Sequence, residues 1–207
     1  MGGLGGRANS TSSGYTDDQR GGLLYGGGLF FAPNRRFAVG LSYQRQVGAQ
    51  EQFEPGATLN SGKINRTYQS VLANLRAYPL RNDSVGLWGG LMIGAMFQTA
   101  NATGTSTPAG VYASPSSYSI DAGPSGGMAL GLGVGMDYDV SNSFGFLASV
   151  NMLNAWLKSD SMTNPPDRPV PGAGSVMMLD ARVAFQYRFD TSGAALPVSG
   201  TVKTSKR

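Results

Sequence analysis

Eight side chains in this sequence combine hydrogen-bonding or ionic chemistry with an apolar setting. Asn74, Arg76, Asp137, Asp139, Asp180, Arg182, Gln186 and Arg188 each have an apolar residue on both sides. They fall into pairs two residues apart, and in an extended chain residues i and i+2 share a face. Such pairs would project into a common interior. Buried charges are costly unless partnered, so a salt-bridge network is the first expectation. A proton or ion path is the second. A general acid–base pair from Asp137 and Asp180 is the third, but nothing in the sequence places a substrate beside them.

Other chemistry is excluded by composition. The chain has no histidine and no cysteine. That removes His-dependent triads, HExxH zinc sites and thiol chemistry. Neither a metal site nor a cofactor is expected, and the chain is read as not an enzyme. The runs Gly26-Gly27-Gly28 and Gly126-Gly127 lack the Lys-Ser/Thr and the strand-to-helix context of a phosphate loop. The net charge of +4 is scattered apart from the tail Lys203-Thr204-Ser205-Lys206-Arg207. It forms no basic stripe with stacking aromatics, so nucleic acid is not an expected partner.

The elements that must position these residues are strands. From Met128 to Val140 every even residue is apolar, and between them lie Ala129, Gly131, Gly133, Gly135, Asp137 and Asp139. That period of two marks a β-strand. It recurs at 37–44, 85–98, 144–153 and 177–189, and less regularly at 22–32 and 66–79. Short turns fall at 33–36, 81–83 and 141–143. Long polar loops are expected over about 47–64, 100–118 and 159–174. No run of 18 apolar residues exists for a membrane helix.

The smaller face carries Gly, Ala and Ser with a few polar groups. Charged residues total 14% against about 25% for an average soluble domain, while glycine reaches 31 residues. A soluble all-β binding protein would carry Lys and Glu on that face. Small residues instead suit the inside of a narrow barrel, with the large apolar set facing lipid. Phe31, Phe37, Tyr78, Tyr138, Phe144, Tyr187 and Phe189 lie near the short turns or the last strand's end, as one lipid-interface girdle. Tyr25, Tyr43, Phe97 and Trp156 lie near the long loops as the other. The fold expected is an all-β, antiparallel up-and-down transmembrane β-barrel of about eight strands.

Over residues 21–190 the chain resembles the small outer-membrane β-barrel family, of the OmpA and OmpX type. The resemblance rests on the hairpin from Met128 to Leu153 and on the terminal Phe185-Gln186-Tyr187-Arg188-Phe189. It implies the bacterial outer membrane, short periplasmic turns and long extracellular loops. The aromatic last strand resembles that family's assembly signal. Family barrels end at the last aromatic, whereas residues 190–207 follow here, as a short periplasmic extension.

Seven strands are patterned, and bacterial single-chain barrels have an even number. The first and last patterned strands both descend toward the short turns. Residues 1–20 are therefore expected to be a flexible extracellular loop, with the first strand and a signal peptide upstream of Met1; the rival is that residues 1–20, or the stretch 117–127, contribute a poorly patterned eighth strand. Residues 21–190 form the barrel, and 191–207 a flexible tail. The function expected is a structural or surface-interaction role. Its partners are outer-membrane lipid and a protein or matrix component met through the long loops or the tail. The alternative is a small channel, disfavoured because eight strands leave an interior just filled by side chains.

With Leu132 and Val134 facing outward, the chain should fold only in detergent or lipid. Its folded form should then migrate differently from the boiled form on an electrophoresis gel. A monomeric, folded chain in plain buffer would contradict the facing.

Overall fold

A computed structural model of the chain shows an all-β architecture. The structure describes residues 2–8, 22–53, 60–106, 114, 116–141, 143–158 and 175–187. Eight strands follow in order: β1 (Gly2–Ala8), β2 (Gly22–Phe31), β3 (Phe37–Phe53), β4 (Asn60–Arg81), β5 (Val85–Ser106), β6 (Ser116–Asp139), β7 (Phe144–Leu157) and β8 (Ser175–Tyr187). Each pairs antiparallel with the next, and β1 pairs with β8, so the sheet closes into a barrel.

The closure corrects the expected position of the first strand. β1 lies within residues 1–20. It joins β2 from Gly2–Tyr25 to Gly5–Gly22, and β8 from Gly2–Val183 to Ala8–Met177. The segment Gly2-Gly3-Leu4-Gly5-Gly6 has no apolar alternation to reveal it. Ladder pairing uses backbone groups and needs no side chain, so glycine strands escape a pattern search.

The expected loops at 47–64 and 100–118 are corrected too. β3 runs on to Phe53, β4 starts at Asn60, β5 ends at Ser106 and β6 starts at Ser116. The upper parts of these strands carry Ser, Thr, Asn and Gln. Lys63, Asn65, Thr103, Thr105, Ser116, Ser117 and Ser119 are exposed there, and the apolar alternation fades while the ladder continues. β3 bends into this region at a bulge between Gln46 and Ala49, where Gly48 takes a positive φ of 80°. The expected loop at 159–174 and the tail at 191–207 lie outside the described residues.

The short turns are shaped by side-chain acceptors. Asn34 Oδ1 accepts from the N–H groups of Arg36 and Phe37 at 2.8 and 2.9 Å. Asn82 Oδ1 does the same for Ser84 and Val85 at 2.9 and 2.6 Å. Ser141 Oγ accepts from the Phe144 N–H at 3.1 Å. Asn and Ser mimic a backbone turn in this way.

Alternation separates two faces. Leu29, Leu41, Leu91, Leu132, Val134, Leu179 and Phe185 are exposed on the outer wall. Gln44, Gln46, Ser70, Gln98, Asp137, Asn151, Asp180 and Arg182 are buried inside. A soluble barrel has the opposite polarity.

Val134→Arg should lower stability in lipid vesicles by about 2–4 kcal/mol, the cost of a charge near the bilayer midplane. Thr103→Arg, on the exposed polar part of β5, should stay within about 0.5 kcal/mol of the parent. Urea midpoints check the pair, and equal shifts would contradict the assigned faces. Gly48 would be a poorer control, because its positive φ adds backbone strain to any substitution.

Candidate functional site

The lumen is filled in layers. Near the short turns Ala38, Tyr78, Trp88, Leu147 and Ala184 form one buried cluster. Further up, Tyr68, Leu72, Met92, Met96, Leu153, Leu157, Val176 and Met178 belong to another. Large residues fit because glycine faces them. A methyl group added at Gly135 would lie 2.5 Å from the Trp88 ring, and one at Gly131 would lie 2.8 Å from Leu153. The glycines of β6 are the space that Trp88 and Leu153 occupy.

Between these layers lies a polar network. The Arg182 guanidinium donates from Nε and Nη2 to the two carboxylate oxygens of Asp180, each at 2.5 Å. Asn151 Nδ2 donates to Asp180 Oδ1 at 2.9 Å. Asp137 accepts from the Tyr78 hydroxyl at 2.8 Å and from Trp88 Nε1 at 3.1 Å. The Arg76 guanidinium sits against two rings, 3.8 Å from the Phe30 centroid and 4.2 Å from that of Trp88. Cation–π contact supports a desolvated cation in such a slot. Asn74 Nδ2 donates to Ser42 Oγ at 2.9 Å and to the Leu72 carbonyl at 2.8 Å.

The sequence-derived polar residues divide as follows. Asp180 and Arg182 meet directly, and Arg76 and Asp137 both contact Trp88. Asp139 is half-buried, with its backbone N–H on the Ser84 carbonyl at 2.7 Å. Gln186 donates to the Phe146 carbonyl at 3.4 Å, apart from the network. Arg188 lies outside the described residues. Four participants were missed: Phe30, Ser42, Trp88 and Asn151. Their even or odd positions already place them on the Gly-rich face, so parity alone would have found them.

Of the lipid-interface aromatics, Phe31, Phe37, Tyr138, Phe144 and Tyr187 are exposed on the outer wall. Phe144, Phe146 and Phe185 cluster there, with centroids 5.2–6.0 Å apart. Phe189 lies outside the described residues. Tyr78 is a correction: it is buried in the lumen on Asp137. It shares the inward face of β4 with Arg76, two residues away, and proximity to a turn does not override that parity.

The network leaves little room for a solute. A cavity of about 10 Å³ remains between Ser42, Asn74, Arg76, Trp88, Ser149 and Arg182, space for roughly one water. Among the described residues no group of His, Cys, Asp or Glu side chains gathers to hold a metal ion. Asp137 and Asp180 are each 2% exposed and already bonded, so neither is presented to a substrate.

The strands are unequal above the lumen. β7 begins its ladder with β6 at Gly127–Leu157, whereas β6 continues upward to Ser116 against β5. β3, β4, β5 and β6 therefore project as a four-stranded sheet on one side of the rim. Asn101 Nδ2 donates to Asp121 Oδ1 across it. At its foot, Ser125 Oγ donates to the Lys158 carbonyl, and the Lys158 N–H donates to the Gly126 carbonyl at 3.2 Å.

An apolar outer wall, a closed even-numbered meander, short turns at one end and a filled polar lumen define a transmembrane β-barrel. Even-stranded single-chain barrels of this kind belong to the bacterial outer membrane. No protein family model and no curated protein matches the chain by sequence. Among solved structures it is similar to Ail, the attachment invasion locus protein of Yersinia pestis. That similarity has 19% identity, a TM-score of 0.46, and 91% of this chain and 95% of that one covered. It is also similar to CarO of Acinetobacter baumannii, with 11% identity, a TM-score of 0.34, and 90% and 96% covered.

Gly135→Ala should destabilise the barrel by about 1–3 kcal/mol, because the methyl group collides with the Trp88 ring. Gly89→Ala should be near neutral, since a methyl group there meets nothing within 4 Å. Urea titration in vesicles separates them, and equal costs would show that the lumen is looser than described.

Proposed function

We propose that the chain is a surface-interaction protein of the outer membrane, in which a plugged barrel anchors a projecting sheet that meets an extracellular partner. One observation carries this: β3–β6 extend beyond the rim while the lumen below them is filled. Ions would have to cross the Arg76–Trp88–Asp137 layer and the apolar cluster above it, which argues against the channel alternative.

The projecting sheet offers backbone as well as side chains. Over Ser117–Ala122, β6 pairs with β5 on one side and has no ladder on the other among the described residues, and Gly123-Pro124 then bulges out of the β5 ladder. Exposed edge strands pair with extended chains unless charge, proline or a bulge blocks them. A bulge interrupts each edge, at Gly48 on β3 and at Gly123-Pro124 on β6. On β6 the segment Ser117–Ala122 contains one charge, Asp121, and no proline. An extended protein segment adding to this edge is the partner type it suits.

The refolded chain should leave planar bilayers at baseline conductance. It should also retain members of an array of extended peptides, and a variant lacking residues 101–120 should lose them while keeping its heat-modifiable barrel. Steady ion currents from the parent chain would favour the channel. Undiminished peptide retention by the shortened variant would remove the edge from the account.

A further inference from the structure

The opposite end of the barrel carries its own charge pattern. Arg35 and Arg36 occupy the β2–β3 turn, and Arg81 opens the β4–β5 turn. β3 and β4 are paired, so these two turns are neighbours. The Tyr78 N–H donates to the Arg36 carbonyl at 2.8 Å, and the Arg81 guanidinium lies 4.5 Å from the Tyr78 ring centroid. Tyr78 thus ties both turns into one sector. Three arginines stand there with one acid in the same turns, Asp83, and with Asp139 at the end of β6 beside Ser84. The contact of Asp83 with Arg35 is long, at 3.4 Å, between side chains about three-quarters exposed. Such a pair holds its charges weakly. The β6–β7 connection, residues 140–143, carries no charged residue in its sequence.

The depth of this sector is set by its neighbours. Phe31 and Phe37 flank the β2–β3 turn, and Leu80 precedes Arg81, all exposed on the outer wall. Aromatic girdle residues sit at the level of lipid headgroups. Arg35 and Arg36 therefore emerge at headgroup height, on the periplasmic leaflet. A guanidinium presents a planar fork of donors that matches phosphate oxygens in pairs. Arg36 is exposed and has no side-chain partner among the described residues.

We infer that the two neighbouring turns form a docking sector for the phosphate groups of anionic phospholipids in the periplasmic leaflet, with Arg35 and Arg36 as primary contacts and Arg81 supporting them. The sector is one-sided, so anionic lipid gathers under β2–β5 and not under β6–β7. The inference does not depend on the extracellular edge. Loss of peptide retention at the rim and loss of lipid selectivity at the turns would be separate results.

The test is native mass spectrometry of the full chain, released from micelles doped with equal phosphatidylglycerol and phosphatidylcholine. The parent chain should retain phosphatidylglycerol preferentially. Near an anionic surface each arginine contributes about fivefold in affinity. The Arg35→Gln/Arg36→Gln variant should lose most of the preference while keeping its heat-modifiable fold. Arg81→Gln should lower it by a smaller factor than the double variant does. Lys158→Gln at the other rim should leave it unchanged. Salt of about 1 M, where the Debye length falls to about 3 Å, should abolish it. Equal retention of the two lipids by the parent, or an unchanged preference in the double variant, would overturn the inference. So would displacement by millimolar inorganic phosphate beyond that by chloride of equal ionic strength, because the ligand would then be soluble phosphate.

Discussion

Backbone hydrogen bonding in lipid is the constraint on which the rest of this structure depends. Within hydrocarbon an unsatisfied N–H or C=O costs several kcal/mol, so a sheet there must close on itself. Here closure depends on β1, a seven-residue strand with four glycines, lying between β2 and β8. Its contribution is a set of donors and acceptors. Once the ladder is closed, every strand is committed to one facing, because a slip of one residue would turn its polar set to lipid.

A narrow closed barrel then imposes a volume limit. Several large inward residues have a glycine opposite. Trp88 is accommodated by Gly135, Leu153 by Gly131, and the Phe30 ring by Gly40. The same confinement governs the charges. Asp180 and Arg182 satisfy each other two residues apart on β8, with Asn151 completing the acceptor. Arg76 is held by rings, and Asp137 by two neutral donors. A lumen packed in this way anchors the barrel and leaves the ends of the strands as the surfaces available to partners.

The two ends differ because the strands differ in length. β4, β5 and β6 have 22, 22 and 24 residues, against 14 and 13 for β7 and β8. The surplus lies at the extracellular end as a ladder that continues beyond the ends of β7 and β8. The short-turn end is cut close by Asn and Ser acceptors, which places its arginines beside the membrane.

The sequence by itself determined the class of fold and the facing of most described strands. A period of two needs no tertiary information, and Gly-rich alternation with few charges admits one placement, large residues to lipid and small residues inward. The same parity already held Tyr78, Trp88, Phe30 and Asn151 on the inward face, although Tyr78 reads locally as a girdle residue. Tertiary structure alone decided three things. It placed β1, since a glycine strand has no side-chain pattern and is recognised only when two edges need a partner. It extended β3–β6 beyond the ends of β7 and β8, where the apolar alternation fades while the ladder continues. It also chose the partners of the inward charges. Register aligns backbone rows across neighbouring strands, but which side chains meet across a lumen depends on how the whole ring closes.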